Sequence, residues 1–467
     1  MGTAPVLWWV RRDFRRADNP ALLAAIATGQ PVIPVFVHDE TTHALGAAPA
    51  WRLGLAIDHF ATELTGQGSR LILRRGTALD VLRDVLRETG ATGVFWNRLY
   101  DPIARDRDTQ VKAALKADGV TAISTSGHTL TEPWTIKTGQ GGFYRVYTPY
   151  FRAVWAQDIA PPRAAPNAIP APDHWPHSDT LAAWRLHAGM HRGAKIVRPH
   201  LCLGAAAAAE RLEDFVAQRM ARYDADRDRL DLAGASGLSE PLSYGEISPR
   251  QCYWAAASQA RTGDAGAMTF VKQLIWRDFA YHLVFHTPHI TTANWRRDWD
   301  KFPWSEAESE PVNAWRQGRT GIEVVDAAMR EIYVTGRMHN RARMLVASYL
   351  TKHLMTHWRI GLDWFADCLV DWDPAANAMG WQWAAGSGPD ATPYFRIFNP
   401  ETQAAKFDPN GDYRQRWLGP SPEAAQFFQA IPRRWNLTET DPYPAAPIVG
   451  LAAGRARALA AYADRDF

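Results

Sequence analysis

Residues 157–176 read Q-D-I-A-P-P-R-A-A-P-N-A-I-P-A-P-D-H-W-P, with six prolines in twenty positions. Proline lacks an N–H and fixes φ, so neither a helix interior nor a central strand tolerates this spacing. The stretch is expected to be a linker laid over the surface. The chain reads differently on its two sides.

On the N-terminal side, apolar runs alternate with helical spacing. P-V-L-W-W-V-R-R-D-F-R-R (5–16) is an apolar run that meets a charged loop. This is how a parallel strand ends at a functional edge. Asn19 is placed to cap a helix over 20–28. Further strands are expected at 31–37, 69–76, 93–97 and 121–125, and further helices at 50–64, 78–89 and 103–118. Such alternation predicts a doubly wound α/β domain with a parallel sheet over 1–156. Neither GxGxxG nor GxxxxGK[ST] occurs in it, so no dinucleotide or P-loop fingerprint is present.

Beyond a linker assigned to 157–200, the period changes. L-G-A-A-A-A-A-E-R-L-E-D-F-V-A-Q-R-M (203–220) is helical, with Leu212, Phe215, Val216 and Arg219 near one face. Residues 249–261, 266–285, 321–336, 338–357 and 360–370 share that periodicity. With no alternating strand after 200, residues 201–467 are expected to form an all-α domain. The 467 residues exceed one ordinary core, in line with two domains.

Composition narrows the classes. An apolar content of 46% is that of a globular chain. No apolar run reaches the roughly 18 residues of a membrane span, and Arg interrupts the start too early for a signal peptide. A soluble, cytoplasmic protein with no membrane partner is expected. The three cysteines lie far apart without CxxC, which predicts neither a disulfide framework nor a metal site. A net charge of +3 says little about nucleic acid, so any basic face must be local. A large aromatic core should absorb most of the 21 tryptophans.

Chemistry concentrates at 371–383, D-W-D-P-A-A-N-A-M-G-W-Q-W. By pattern the stretch is poor as helix or strand. Asp371, Asp373 and Asn377 offer groups for ring N–H and C=O edges, and the indoles can stack. It suits the lining of a pocket for a large, flat, polar-edged molecule. Upstream, M-H-N-R-A-R-M (338–344) puts Asn340 and Met344 on one helix face, with Arg341 adjacent. Arg343 is placed to pair with Asp371. L-I-W-R-D-F (274–279) offers Trp276 to stack on a base, worth roughly 1–3 kcal/mol, and Arg277 to hold a phosphate.

Taken together the chain resembles the photolyase/cryptochrome family over nearly its whole length. The resemblance rests on L-W-W-V-R-R-D-F-R-R-A-D-N-P-A-L, E-P-W-T-I-K-T-G-x-G-G-F-Y-R-V-Y-T-P (132–149), G-E-I-S-P-R (245–250), M-H-N-R-A-R-M, and G-W-Q-W-A-A-G-S-G-P-D-A-T-P-Y-F-R-I-F-N-P. The segment 281–304 looks similar to bacterial cyclobutane-dimer photolyases. The resemblance implies FAD in the helical domain and UV-damaged DNA as partner. It also implies light-driven splitting of pyrimidine dimers by an electron from reduced flavin, and a monomer. An antenna pigment in the α/β domain is implied too; the motifs do not choose among a folate, a deazaflavin, another flavin or nothing. By the same resemblance Tyr223, Ser236, Leu238 and Ser239 match the diphosphate-binding stretch, and Asp371, Asp373 and Arg343 the flavin-binding charges. Asn377 matches the residue beside flavin N5. Trp381, Trp358 and Trp304 match an electron relay. Trp276, Asn340, Met344 and Trp383 match dimer-contacting walls, and Arg227, Arg341 and Gln403 match DNA contacts.

Three positions depart from the family pattern. A-S-G-L-S (235–239) stands where T-S-R-L-S is usual, and Arg277 is expected to compensate for the missing guanidinium at Gly237. Gln273 replaces a usual Glu, exchanging a proton donor for a neutral hydrogen bond worth roughly 1 kcal/mol. Arg337 replaces a usual Trp. The competing readings are a cryptochrome-type light sensor and, with less support, a (6-4) photolyase, whose His-His pair is Met338-His339 here.

Overall fold

The computed structural model describes residues 3–390 and 395–465. Residues 391–394, within the last of the motifs quoted above, lie outside that range. Five parallel strands form one sheet: β1 (Val6–Val10), β2 (Val32–His38), β3 (Ile72–Arg75), β4 (Gly93–Asn97) and β5 (Thr121–Thr125), in the order β3-β2-β1-β4-β5. Successive side chains of β1 enter different cores: Val6, Trp8 and Val10 pack on one face of the sheet, Leu7 and Trp9 on the other. Burial on both faces is why these strands read as continuous apolar runs. Pro34 sits inside β2 opposite Trp8. It is tolerated because β3 pairs with β2 only from Val35 onward, so one side of the ladder has no neighbour there. Helices Pro20–Ile26, Ala47–Gly66, Ala78–Thr89 and Pro102–Ala117 connect the strands. Asn19 caps the first as expected, accepting from the Leu22 N–H at 3.2 Å.

The proline-rich stretch is laid along the sheet by its backbone. Asp18 and Val32 donate to the carbonyls of Arg163 and Pro170, and Leu73 exchanges hydrogen bonds with Ser178 and Asp179. Ile169 and Trp184 are drawn into one sheet core. From Gly204–Gln218 onward the described elements are helical, apart from an isolated bridge between Ser305 and Thr356. The aromatic core is large: Trp8, Trp9, Trp96, Trp315 and Trp358 are fully buried.

Two expectations need correction. Residues 338–357 are not one helix. An α-helix runs over Asn340–Ser348, a π-turn over Tyr349–His353, and the next helix begins at Trp358. Met355 takes φ 52°, a left-handed value that ends helical propagation, and its carbonyl accepts from Ser305 N at 2.8 Å. Residues 371–383 are not irregular either: Pro374–Ala385 is an α-helix. Asp373 caps it, Pro374 opens it and Gly386 at φ 96° closes it. The helix is buried on most faces, so no amphipathic period marked it.

The long helix Ala265–His286 ties the two halves together through Asp278. That fully buried carboxylate accepts from Leu130 N at 2.8 Å and Thr131 N at 3.0 Å. Burial pushes its pKa up to about 7. The folded chain therefore keeps a proton there that the unfolded chain releases near 3.8. Stability from this site falls as pH rises from about 4 to 7. Asp278→Asn keeps an acceptor for both N–H groups and cannot ionise. At pH 8 it is expected to be more stable than the parent by about 1–3 kcal/mol, with little difference at pH 5. Thermal melts at the two pH values check this; a pH-independent gap discards it.

Candidate functional site

The site is built where helix Pro374–Ala385 packs on the helices Asn340–Ser348 and Ala265–His286, and where the residues before it meet the helix Ser239–Tyr244. Asp371, 3% exposed, lies just ahead of the first of these helices. Arg343 Nη2 donates to its Oδ2 at 2.7 Å and its Oδ1 at 3.0 Å, and Ser239 Oγ donates to Oδ2 at 2.7 Å. Ser243 Oγ holds the Asp371 carbonyl at 3.1 Å. The buried ion pair expected from sequence is therefore formed, and the start of the Ser239 helix is bound to it.

Asp373 serves its own helix through Ala376 N at 2.9 Å and accepts from the Tyr281 hydroxyl at 2.6 Å. Burial and the neighbouring Asp373 carboxylate both push the Tyr281 pKa up, so the hydroxyl stays a donor. Arg12 Nη2 and Arg277 Nε stand 3.9 and 4.0 Å from the Asp373 carboxylate. Asn377 donates one amide hydrogen to the Asp373 carbonyl at 2.9 Å, leaving its own carbonyl oxygen to offer as acceptor. One turn on, Gly380 is exposed in mid-helix, and a Cβ built on it would meet nothing within 4 Å. An open face at Gly380 thus lies one turn beyond Asn377 and two beyond Asp373 on this helix. Such a face accepts a flat, polar-edged ring system.

The remaining expected residues are distributed around it. Trp276 stacks flat on Tyr147, with ring centroids 3.6 Å apart and planes 8° apart. Tyr147 is fixed in turn by its hydroxyl on the Lys272 carbonyl (2.7 Å) and its N–H on Asp390 (3.2 Å). Gln273 and Met344 are half-buried and Asn340 is exposed. Trp383 lies beneath the Arg396 guanidinium at 5.8 Å. Arg341 and Arg227 converge on one acid, Asp228, at 2.5 and 3.8 Å. Gln403 presents a buried Oε1 without a partner among the described residues. Tyr223 is edge-on to Phe215 and Phe270 in the helical core, Leu238 is buried, and Ser236 accepts a long 3.4 Å bond from Leu238 N.

Trp304 and Trp358 flank a common imidazole, His357, at centroid distances of 5.4 and 5.3 Å. Trp381 packs on Phe365 at 4.9 Å, its indole nitrogen without a partner among the described residues. A Cβ on Gly361 would run into the Trp381 ring, so only glycine allows that indole its place.

Two of the departures gain a structural setting. Arg277 donates to the His128 carbonyl at 2.6 Å rather than to the segment around Gly237. Arg211 reaches the Gly237 carbonyl instead, at 3.1 Å. Arg337 donates to the His200 carbonyl and stands with Nη1 3.6 Å from Glu240. Sequence reading missed Arg211, Asp228, Tyr147 and His357. Arg211 and Tyr147 meet their partners only through the tertiary fold; Asp228 and His357 each touch a sequence neighbour, but their second partners, Arg341 and Trp304, come from distant segments.

Two family models match: the description "DNA photolyase" over residues 6–171 and "FAD binding domain of DNA photolyase" over residues 270–464. A deoxyribodipyrimidine photo-lyase of Agrobacterium fabrum is 41% identical over 99% of this chain and 98% of its own length. The chain belongs to the DNA photolyase family. A crystal structure of a bacterial class III photolyase from Agrobacterium tumefaciens superposes with a TM-score of 0.91 at 42% identity, covering 99% of this chain and 98% of that one. An archaeal photolyase from Sulfolobus tokodaii, solved with two FAD molecules, matches with a TM-score of 0.80 at 27% identity over 98% of this chain and 100% of its own. The helical half is an FAD-binding domain. The paired Asp371 and the open helix face at Gly380 fit that cofactor. Among the described residues, no helix is long and apolar enough to cross a membrane.

Proposed function

We infer that the chain is a deoxyribodipyrimidine photo-lyase, a light-driven lyase that splits cyclobutane pyrimidine dimers in UV-damaged DNA. The observation that carries this is the Asp371–Arg343–Ser239 anchor beside the open face of helix Pro374–Ala385, in a chain matched end to end by such enzymes. Bound reduced FAD supplies the photoexcited electron donor.

The chain's own residues supply placement. Asp371, Arg343 and Ser239 hold the cofactor, Tyr223, Ser236 and Leu238 shape its diphosphate stretch, and Asp373, Arg277 and Asn377 border the ring. Trp276, Gln273, Asn340, Met344 and Trp383 form the walls that receive the dimer, which must leave the stack to be reached. Trp381, Trp358 and Trp304 serve as the relay. Arg227, Arg341 and Gln403 meet the DNA backbone. Phosphate contacts of this kind make affinity fall steeply with salt, so the slope of binding against salt is expected to be clearly negative and to flatten in Arg341→Ala. The working form is taken as a cytoplasmic monomer, with a second pigment left open.

The test is blue-light repair of an oligonucleotide carrying one cyclobutane thymine dimer, with the bound flavin chemically reduced. Light-dependent loss of the dimer is expected. No repair by a fully flavin-loaded protein would overturn the assignment in favour of a light sensor. In the same assay Gln273→Glu is expected to raise the repair yield per photon, because a carboxyl donates a proton more readily than an amide. An unchanged yield sinks that role.

A further inference from the structure

The two outer indoles share more than His357. A pocket of about 310 Å³ opens beside them, lined by Asn294, Arg297, Asp300, Trp304, Glu306 and Arg359 over an aromatic floor. Trp304 is only 8% exposed and lines this pocket. Its indole N–H donates to the Thr351 carbonyl at 2.8 Å. A backbone carbonyl is a very poor base, so the hydrogen-bond partner of this indole does not take its proton when it loses an electron. Trp358 is tied to the same pocket. Its indole N–H donates to Asn294 Oδ1 at 2.8 Å, and Asn294 Nδ2 donates to Asp300 Oδ1 at 2.7 Å.

The rim carries two cations beside two anions. Arg297 and Asp300 stand 3.5 Å apart, and Arg359 and Glu306 2.7 Å apart, all four side chains at least 44% exposed. These pairings use only part of each guanidinium's donors and each carboxylate's lone pairs. The unused edges therefore present donors and acceptors side by side over a face of indole. A monoanionic enediol has the complementary edge: one anionic oxygen and one neighbouring O–H on a planar frame. Its oxygen anion suits a guanidinium, its O–H suits a carboxylate, and its plane suits the aromatic floor.

We propose that this pocket binds a small planar monoanionic enediol, the class of one-electron donor to which ascorbate belongs, and passes its electron to Trp304. The proposal rests on the reading of Trp304 as the outer end of the relay. The step balances. The donor loses one electron, the Trp304 radical cation gains it and returns to the closed-shell indole, and the donor's O–H proton goes to Glu306 or Asp300 and on to water. The donor leaves as its radical anion.

The experiment combines laser-flash decay of the tryptophan radical in the oxidised flavoprotein with equilibrium dialysis of ascorbate in the dark. The decay rate is expected to saturate with rising ascorbate, and dialysis to show bound ascorbate. Arg297→Gln/Arg359→Gln, which changes only rim residues, is expected to lose saturation, with about tenfold weaker binding. Dithiothreitol, a reductant without the planar diol, is expected to act linearly on both proteins. A linear ascorbate dependence in the parent, or an unchanged double variant, overturns the proposal. Trp304→Phe separates the two readings. If photoreduction persists unchanged in it, the relay reading fails; if photoreduction is lost while the parent still responds linearly, only the pocket proposal fails.

Discussion

Arg343→Leu is expected to purify without its FAD and to melt well below the parent. Asp371 has 2% of its side chain exposed, and Arg343 is the cation that compensates it. Removing one partner of a buried pair strands the other charge, at a cost of about 3–5 kcal/mol. Arg343 is itself 22% exposed, so the lower end applies. For a unit of some 250 residues, 3 kcal/mol corresponds to roughly 6 °C or more in melting temperature. The loss reaches the cofactor because Asp371 also receives Ser239, and through it the helix Ser239–Tyr244. Arg343→Lys is expected to be intermediate: it keeps the charge and loses the Nε–H bond that ties Arg343 to the Met338 carbonyl. Flavin absorbance per mole of protein and a thermal melt measure both effects. A fully loaded Arg343→Leu protein would show that the pair does not govern cofactor binding.

How much of this was legible depended on where each signal lay. The strands stood out because a parallel sheet buried on both faces leaves unbroken apolar runs, and all five residues of β1 are buried. Asn19 and its helix were local and were read correctly. Helix Pro374–Ala385 was missed because the residue on its open face is Gly380 and most of the rest is core, which erases the 3.6-residue period. Its Asp-Pro start was a usable signal, since a capping acid before proline opens helices. The break at 349–357 was illegible in principle. Ser305 N reaches the Met355 carbonyl from beyond the helices Glu310–Arg316, Glu323–Thr335 and Asn340–Ser348, and no local pattern marks that bond. The same holds for Arg341 on Asp228 and for Asn294 behind Trp358. The pair Arg343–Asp371 spans 28 positions and was anticipated only because a motif marked both ends.

Arg52→Leu is expected to give no soluble flavoprotein, although Arg52 lies on helix Ala47–Gly66 of the α/β half and belongs to no motif. It is fully buried. Its Nε donates to Glu240 at 2.6 Å, its Nη2 to Glu246 at 2.5 Å and to the Cys202 carbonyl at 2.6 Å, and its plane covers Tyr244 at 4.6 Å. Both glutamates are buried and accept further bonds from the Cys202 and Gly204 N–H groups at 3.1 Å. Arg337 supplies the second positive charge, so two cations face two anions. This accounts physically for the arginine that stands at 337. Without Arg52, two carboxylates remain in the interior with only a half-buried cation beside them. Burial already pushes the Glu246 pKa up with Arg52 present. The cost of several kcal/mol is comparable with the whole stability of about 5–15 kcal/mol. It falls on the helix that begins at Ser239, so the site loses its anchor as the two halves part. The triple variant Arg52→Met/Glu240→Gln/Glu246→Gln removes the three fully buried charges, leaves the partly exposed Arg337 to water, and keeps carbonyl acceptors for Cys202 and Gly204. It is expected to recover most of the soluble yield and flavin content. A normal flavoprotein from Arg52→Leu alone would deny the cluster its role. A triple variant as poor as the single one would mean that shape, and not compensated charge, joins the two halves.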